Sequence, residues 1–211
     1  MSETEARIGI VDELAKCISD FRRSASAMHQ LKELMGQRVY QIICGYADAN
    51  DSDTLRFDPT MKMAIGRLPH SGHDLASQPT ITRFEKRPSR TELYRMAIAF
   101  VDHFLRSYSE APRIIVLDVD DTANVVHGYQ QMSLFNGHYQ ENCYEPMHLY
   151  EGLSGKLIAS ILRPGRRPTG KEIVSYLSRL VHHIRSRWPD TIIVYRGDSH
   201  YGVPEAYSFL A

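Results

Sequence analysis

The hydrophobic period of this chain changes once, near Arg113, and that change restricts the folds open to it more than any other feature. Before it, apolar residues recur at helical spacing. The clearest stretch is 91–108, where Leu93, Met96, Ala97, Phe100, Val101, Phe104 and Leu105 share one side and Ala111-Pro112 follows. After it, IIVLDV (114–119) and TIIVYRGD (191–198) are short β-branched runs that end in aspartates. Between them the pattern predicts strands over 147–150 and 157–162, joined through EGLSG as a hairpin. A helix is then predicted over 169–188, with Ile173, Leu177, Leu180, Ile184 and Trp188 at spacings of four and three. Pro189 stops it, and Pro204 opens a last helix. The expected class is α/β, with a mainly helical region over 1–111 followed by strand, hairpin, helix, strand and helix over 112–211.

Within the first region, 8–18 and 28–45 read as helices and 60–65 as a short one. GYADANDSDTLRFDP reads as a polar break, because its Asp and Asn side chains compete for backbone hydrogen bonds. RLPHSGHDLASQP reads as a loop. SQPTITRFEKRPSR suggests a small DNA-reading helix, although packing and capping explain Thr80, Phe84 and Ser89 equally well.

Apolar residues at 43% and charged residues at 24% exclude a disordered tail or a coiled-coil rod. No apolar run nears the ~18 residues a membrane helix needs. Three cysteines without a CxxC pair fit a reducing cytoplasm better than secretion. The net charge of zero conceals a division. Residues 114–155 hold six acids and no Lys or Arg, whereas 156–188 hold eight bases against the single acid Glu172. Such neighbours suit an enzyme in which carboxylates hold cations and bases hold the phosphates of a polyanion. A solvated basic helix face is the plainer reading of the second window.

LDVDDT (117–122) is the densest acidic feature. Strand alternation puts Asp118 and Asp120 on one face, with Asp121 and Thr122 starting the next turn. Carboxylates this close repel, and a divalent cation such as Mg²⁺ compensates. The same residues also read as an acidic turn capping the next segment. Asp198 in YRGDSHYG follows a strand expected beside the first, so it is the candidate partner of Asp120; alone, it also reads as a helix N-cap. Two Asp-bearing strand ends in one sheet look more like a two-metal phosphoryl-transfer site than two unrelated caps. Arg163, Arg166 and Arg167 of LRPGRRP form an expected exposed basic loop, and with Lys156 and Lys171 they are the candidate phosphate contacts. The histidine spacings, HSGH and His182-His183, lack the partners of a zinc site.

In order along the chain, QRVYQIICGYADANDSDTLRFDP, LASQPTITRFEKRPSR, IVLDVDDT, HGYQQMSLFNGHY, GLSGKLIASILRPGRRPTGKEI and WPDTIIVYRGDSHYGVPE resemble the blocks of the group-one DDE transposases of insertion sequences. Lys86 stands where the family pattern suggests Asn, and Asn124 where it suggests an acid. The resemblance implies a ribonuclease-H-like catalytic domain, partial over 112–211, and a DNA-binding or dimerisation role for 1–111. It implies Asp120 as the first catalytic aspartate, with Asp118 a close rival, and Asp198 as the second. It further implies Mg²⁺ (or Mn²⁺) held by Asp120 and Asp198, and double-stranded DNA, both terminal inverted repeats and target, as partner. The reaction implied is hydrolysis at the element's ends and joining of the freed 3′-hydroxyl to target, by a homodimer at full length.

The family also needs a third acid, usually a Glu well downstream, whereas only Glu205 lies in the thirteen residues after Asp198. Glu205 suits the first turn of a helix begun by Pro204. The chain as given is therefore expected to be truncated and inactive, with an exposed sheet edge or apolar helix faces. DVDDT also resembles the first motif of haloacid-dehalogenase-type phosphatases, with Asp118 as nucleophile, Asp120 as acid-base and Mg²⁺ as cofactor. That family's later GDxxxD is broken here by Gly202. A non-catalytic DNA-binding remnant of a transposase is the third reading.

Overall fold

The computed structural model describes residues 2–22, 27–128 and 130–211, so Tyr129 of the HGYQQ block lies outside the described residues. The chain divides into two compact units, 1–99 and 100–211.

The first unit is helical, as its spacing predicts. The stretch 8–18 is not one helix. Gly9, at φ 73°, separates α1 (Ser2–Ile8) from α2 (Ile10–Lys16), a left-handed turn that suits glycine. α3 (Leu31–Ile43) follows. The polar break contains a 3-10 turn, Ala49–Asp51, and α4 (Ser52–Leu55), started by the Asp48 side chain accepting from Asn50 N. α5 (Pro59–Ala64) has Asp58 as its N-cap, bonded to Met61 N at 2.7 Å. α6 (Gln78–Glu85) carries Ile81 and Phe84 into a core with Val11, Leu34 and Met61. Inside that core the Gln37 amide donates to Ala76 O and accepts from Ala76 N, both at 2.8 Å, so its burial leaves that backbone satisfied.

The division between units falls within α7 (Arg90–Arg106), whose Val101, Phe104 and Leu105 belong to the second core. β1 (Ile114–Asp121), β2 (Asn124–Val125), β3 (Leu134–Asn136), β4 (Glu141–Tyr144), β5 (Met147–Glu151) and β6 (Lys156–Ile161) precede α8 (Gly170–Arg187), β7 (Ile192–Gly197) and α9 (Pro204–Leu210). The main sheet has the order β6-β5-β1-β7: β5 and β6 form the expected antiparallel hairpin, β5 runs antiparallel to β1, and β7 runs parallel to it. β2, β4 and β3 form a second, small sheet that the sequence pattern did not reveal, because strands of two to four residues carry too little alternation to register.

β1 alternates cleanly. Ile115, Leu117 and Val119 are buried against Ile173, Leu177 and Ile184 of α8, while Val116, Asp118 and Asp120 take the other face. α8 starts with a capping box between Thr169 and Glu172 and ends at Trp188, whose ring packs edge-on against Phe104 at 5.7 Å and Tyr108 at 5.3 Å. On the outer face Ile114, Tyr150, Ile192 and Val194 are exposed, and β7 is an edge strand.

One cap predicts acid sensitivity in the first unit. The Glu92 carboxylate accepts from Ser19 N at 2.7 Å and from Ser89 N and Oγ, both at 2.8 Å, and these bonds hold its pKa down from 4.5 to about 2. A folded value below the unfolded one means that its stabilisation is complete above pH 4.5 and is lost as the pH falls toward 2. Urea midpoints measured across that window are expected to decline, and Glu92→Gln is expected to lower the plateau and flatten the decline.

Candidate active site

The register of β1 on β7 sets the site. Its last pair is Val119 with Gly197, so one more residue along each strand brings Asp120 beside Asp198, on strands that lie ~4.8 Å apart. Both line an open cleft of about 590 Å³ at the carboxyl ends of these strands, together with Asp121, Glu145, Arg166 and Arg167. Ligand clefts of α/β sheets commonly sit at that end.

Three acids of one strand meet three environments. Asp118, on the outer face, is gripped by Arg196 of β7, whose Nε donates to Oδ1 at 2.8 Å and Nη2 to Oδ2, and this partner holds its pKa below the usual range. Asp118 does not line the cleft. Asp120 is exposed, and its Oδ1 accepts from Asp121 N at 2.8 Å. Asp121 corrects the sequence reading. It is not in a turn but still in the ladder, opposite Met147, and the alternation that buries Val119 sends its side chain inward, 7% exposed. There its Oδ2 accepts from Tyr201 Oη at 3.0 Å and lies 3.4 Å from His200 Nδ1.

Arg163 corrects it again. The residue is 2% exposed instead of on a loop surface. Its guanidinium donates to Glu145 O at 3.2 Å, Tyr201 Oη at 3.3 Å and Arg166 O at 3.0 Å. An extended chain of donors therefore runs from Arg163 through Tyr201 to Asp121, and burial together with the Asp121 charge pushes the Tyr201 phenol far up. The turn above depends on Gly197, where a Cβ would come within 2.7 Å of Tyr201 Cβ. Asp198 is exposed; its Oδ1 accepts from His200 N at 2.9 Å.

The other bases separate. Arg166 and Arg167 are exposed at the cleft, where Arg166 is held by Glu172 at 2.6 Å and Arg167 donates to Ser199 O. The arginine and the Thr169 cap hold Glu172 down at about 2. Lys156 lies at the far end of β6, five residues or ~16 Å from Ile161, with its Nζ 2.9 Å from Ser107 Oγ and 3.9 Å from the Tyr108 ring centroid. Lys171 is exposed in the first turn of α8 and is not part of the cleft lining. Neither is Glu205, in the first turn of α9.

The sequence reading missed Glu145. It sits between β4 and β5, 1% exposed, with Oε1 accepting from Asn136 Nδ2 at 2.5 Å and Oε2 buried without a hydrogen-bond partner. Burial, then the Asp121 charge, pushes its pKa up. Tyr139 at the rim is raised too, by burial and by the fields of Asp121, Glu145 and Asp120. Among the described residues no three His, Cys, Asp or Glu side chains converge into a finished metal cage. The carboxylates Asp120, Asp121, Glu145 and Asp198 of the cleft nevertheless offer oxygen donors, which suit a hard divalent cation.

A cleft lined by both carboxylates and arginines is chemically suited to phosphoryl transfer on a polyanion. The sequence profile of the family described as transposase DDE domain group 1 matches residues 1–211, the whole chain, and the chain belongs to that family. No curated protein and no solved structure matches it significantly. The family is one of nuclease and transposase enzymes that act on DNA and generally use divalent metals. Among the described residues, no helix is long and apolar enough to cross a membrane.

Tyr201→Phe deletes a hydrogen bond to a buried carboxylate and an acceptor of Arg163. It is expected to cost about 2 kcal/mol of stability, read as a lower urea midpoint by the fluorescence of Trp188, the chain's single tryptophan.

Proposed function

We propose that residues 112–211 carry a ribonuclease-H-like DDE catalytic domain that cleaves phosphodiester bonds at insertion-sequence ends and joins the freed 3′-hydroxyl to target DNA. The observation that carries this reading is the parallel β1–β7 pair, which delivers Asp120 and Asp198 to one end of one sheet. The strand order β6-β5-β1-β7, in which β1 pairs antiparallel with β5 and parallel with β7, supports it. Residues 1–111 are proposed as the DNA-binding or dimerisation part, in a homodimer at full length.

Asp120 and Asp198 would hold Mg²⁺, with Mn²⁺ as substitute. Such a cation, when bound, neutralises developing charge on phosphate oxygens and acidifies water. Asp120 is preferred over Asp118 because Asp118 is already bound by Arg196 and lies outside the cleft. Tyr201 and Arg163 act as positioning residues, holding Asp121 and the 163–166 backbone behind the acidic wall. Arg166 and Arg167 face the cleft and would meet the DNA backbone; Glu172 fixes the direction of Arg166.

The test is Mn²⁺-dependent nicking of duplex DNA bearing the element's ends. Asp120→Asn and Asp198→Asn are expected to abolish nicking while DNA binding persists, and Asp118→Asn to leave it in place. Loss with Asp118→Asn and persistence with Asp120→Asn would move the catalytic role to Asp118. In a binding titration, Arg166→Ala with Arg167→Ala is expected to reduce the slope of log K against log salt by about 2, as two fewer phosphates are neutralised. An unchanged slope would place these bases outside the interface.

A further inference from the structure

The small sheet β2-β4-β3 stands apart from the packing of its unit. Of its strand residues only Cys143 is buried, and none joins either hydrophobic core. Strands this short hold little by themselves, yet one side chain fixes the β3–β4 connection in place. Asn136 Nδ2 donates to Glu145 Oε1 at 2.5 Å and to Gly165 O at 3.2 Å, while its Oδ1 accepts from His138 N at 2.9 Å and from Tyr139 N at 3.4 Å. What the fixed turn presents is aromatic. Phe135, 62% exposed, and Tyr139, 42% exposed, line the same cleft as Asp120, Asp198, Arg166 and Arg167. One exposed apolar ring is ordinary on a protein surface. Two on an anchored turn inside a charged cleft are not explained by packing, since neither belongs to a core, nor by phosphate contact, which calls for donors and cations. A ring does match the one apolar surface of a nucleic acid, the face of a base, and that face is accessible where the strand is unpaired.

We propose that Phe135 and Tyr139 form a stacking platform for an unpaired nucleobase at the rim of this cleft, so that the protein engages a DNA strand opened beside the phosphate it acts on. This rests on the DNA-cleaving reading of the proposed function and adds to it a base subsite on the small sheet. Arg166 and Arg167 would meet the backbone of the same strand. Binding then divides into a salt-sensitive part from the arginines and a salt-insensitive part from the rings. Every base has a face to stack, so the platform recognises the unpaired state of a base and not its identity.

The experiment titrates the full chain with a fluorescein-labelled single strand and with a blunt duplex of the same sequence, by anisotropy over a range of salt. Phe135→Ala and Tyr139→Ala are each expected to weaken single-strand binding about tenfold while duplex binding stays within about twofold. The slope of log K against log salt is expected to stay as in the wild type, because no phosphate contact is lost. Phe135→Trp keeps a stacking ring and is expected to retain affinity; its added fluorescence is expected to be quenched by the single strand, over the steady signal of buried Trp188. Wild-type single-strand affinity in both alanine variants overturns the proposal, as does an equal loss on strand and duplex. Self-association of the wild type in sedimentation that Phe135→Ala abolishes would assign the rings to a second copy of the chain, and overturns it too. Nicking by Asp120→Asn separates this proposal from the reading beneath it. Nicking lost in Asp120→Asn, with single-strand affinity unchanged in the alanine variants, leaves the cleavage reading standing without the platform. Ring-dependent single-strand binding, with nicking retained in Asp120→Asn, supports the platform and removes the catalytic assignment.

Discussion

Parallel pairing of β1 with β7 is the constraint from which the rest of the cleft follows. Because Val119 faces Gly197 across that ladder, Asp120 and Asp198 leave the sheet side by side. Alternation then divides the acids of β1. Asp118 points outward to Arg196, Asp120 stays at the strand end, and Asp121 turns inward with Ile115, Leu117 and Val119. The pleat sends Asp121 to the opposite face from Asp118 and Asp120, and position along the strand separates these two: Asp118 lies further back, beside Arg196, while Asp120 reaches the cleft at the carboxyl end.

A buried cation supports the acidic wall from behind. Taking a guanidinium out of water costs several kcal/mol unless its donors are satisfied, and Arg163 meets that condition with two backbone carbonyls and the Tyr201 oxygen. Those bonds tie together Glu145 in the β4–β5 connection, the 163–166 loop and the turn after β7. Gly165 makes the approach possible, since a Cβ there would come within 2.8 Å of Cys143 Sγ and closer still to its backbone. The result is a cleft in which Glu145 and Asp121 are buried, Asp120 and Asp198 are exposed, and Arg166 and Arg167 stand at the surface, the first of them held by an acid of the α8 capping box.

Much of the fold is legible in the sequence. The strands, the hairpin, α7, α8 and α9 lie within a residue or two of their sequence-derived bounds, because their periodicity extends over many residues or is closed by proline. The small sheet was not legible, its strands being too short to carry a period. For the site, the period that separates Asp118 from Val119 could also have carried Asp121 to the inner face, had the strand been extended by one residue. Arg163 and Glu145 had no comparable signal. Arg163 sits among Pro, Gly and other arginines as a loop base would, and Glu145 stands before a proline between two short apolar segments.

The sequence by itself determined the α/β class, the two strands ending in aspartate and the segregation of acids from bases, all of which depend on residues close together in the chain. Only the tertiary structure decided which of those charges are used together. Arg163 meets Tyr201, and Tyr201 meets Asp121, across 38 and 80 residues of sequence. Burial and partnership of a charge depend on what packs around it from distant segments, so identical residue types became a surface arginine at 166 and an interior one at 163.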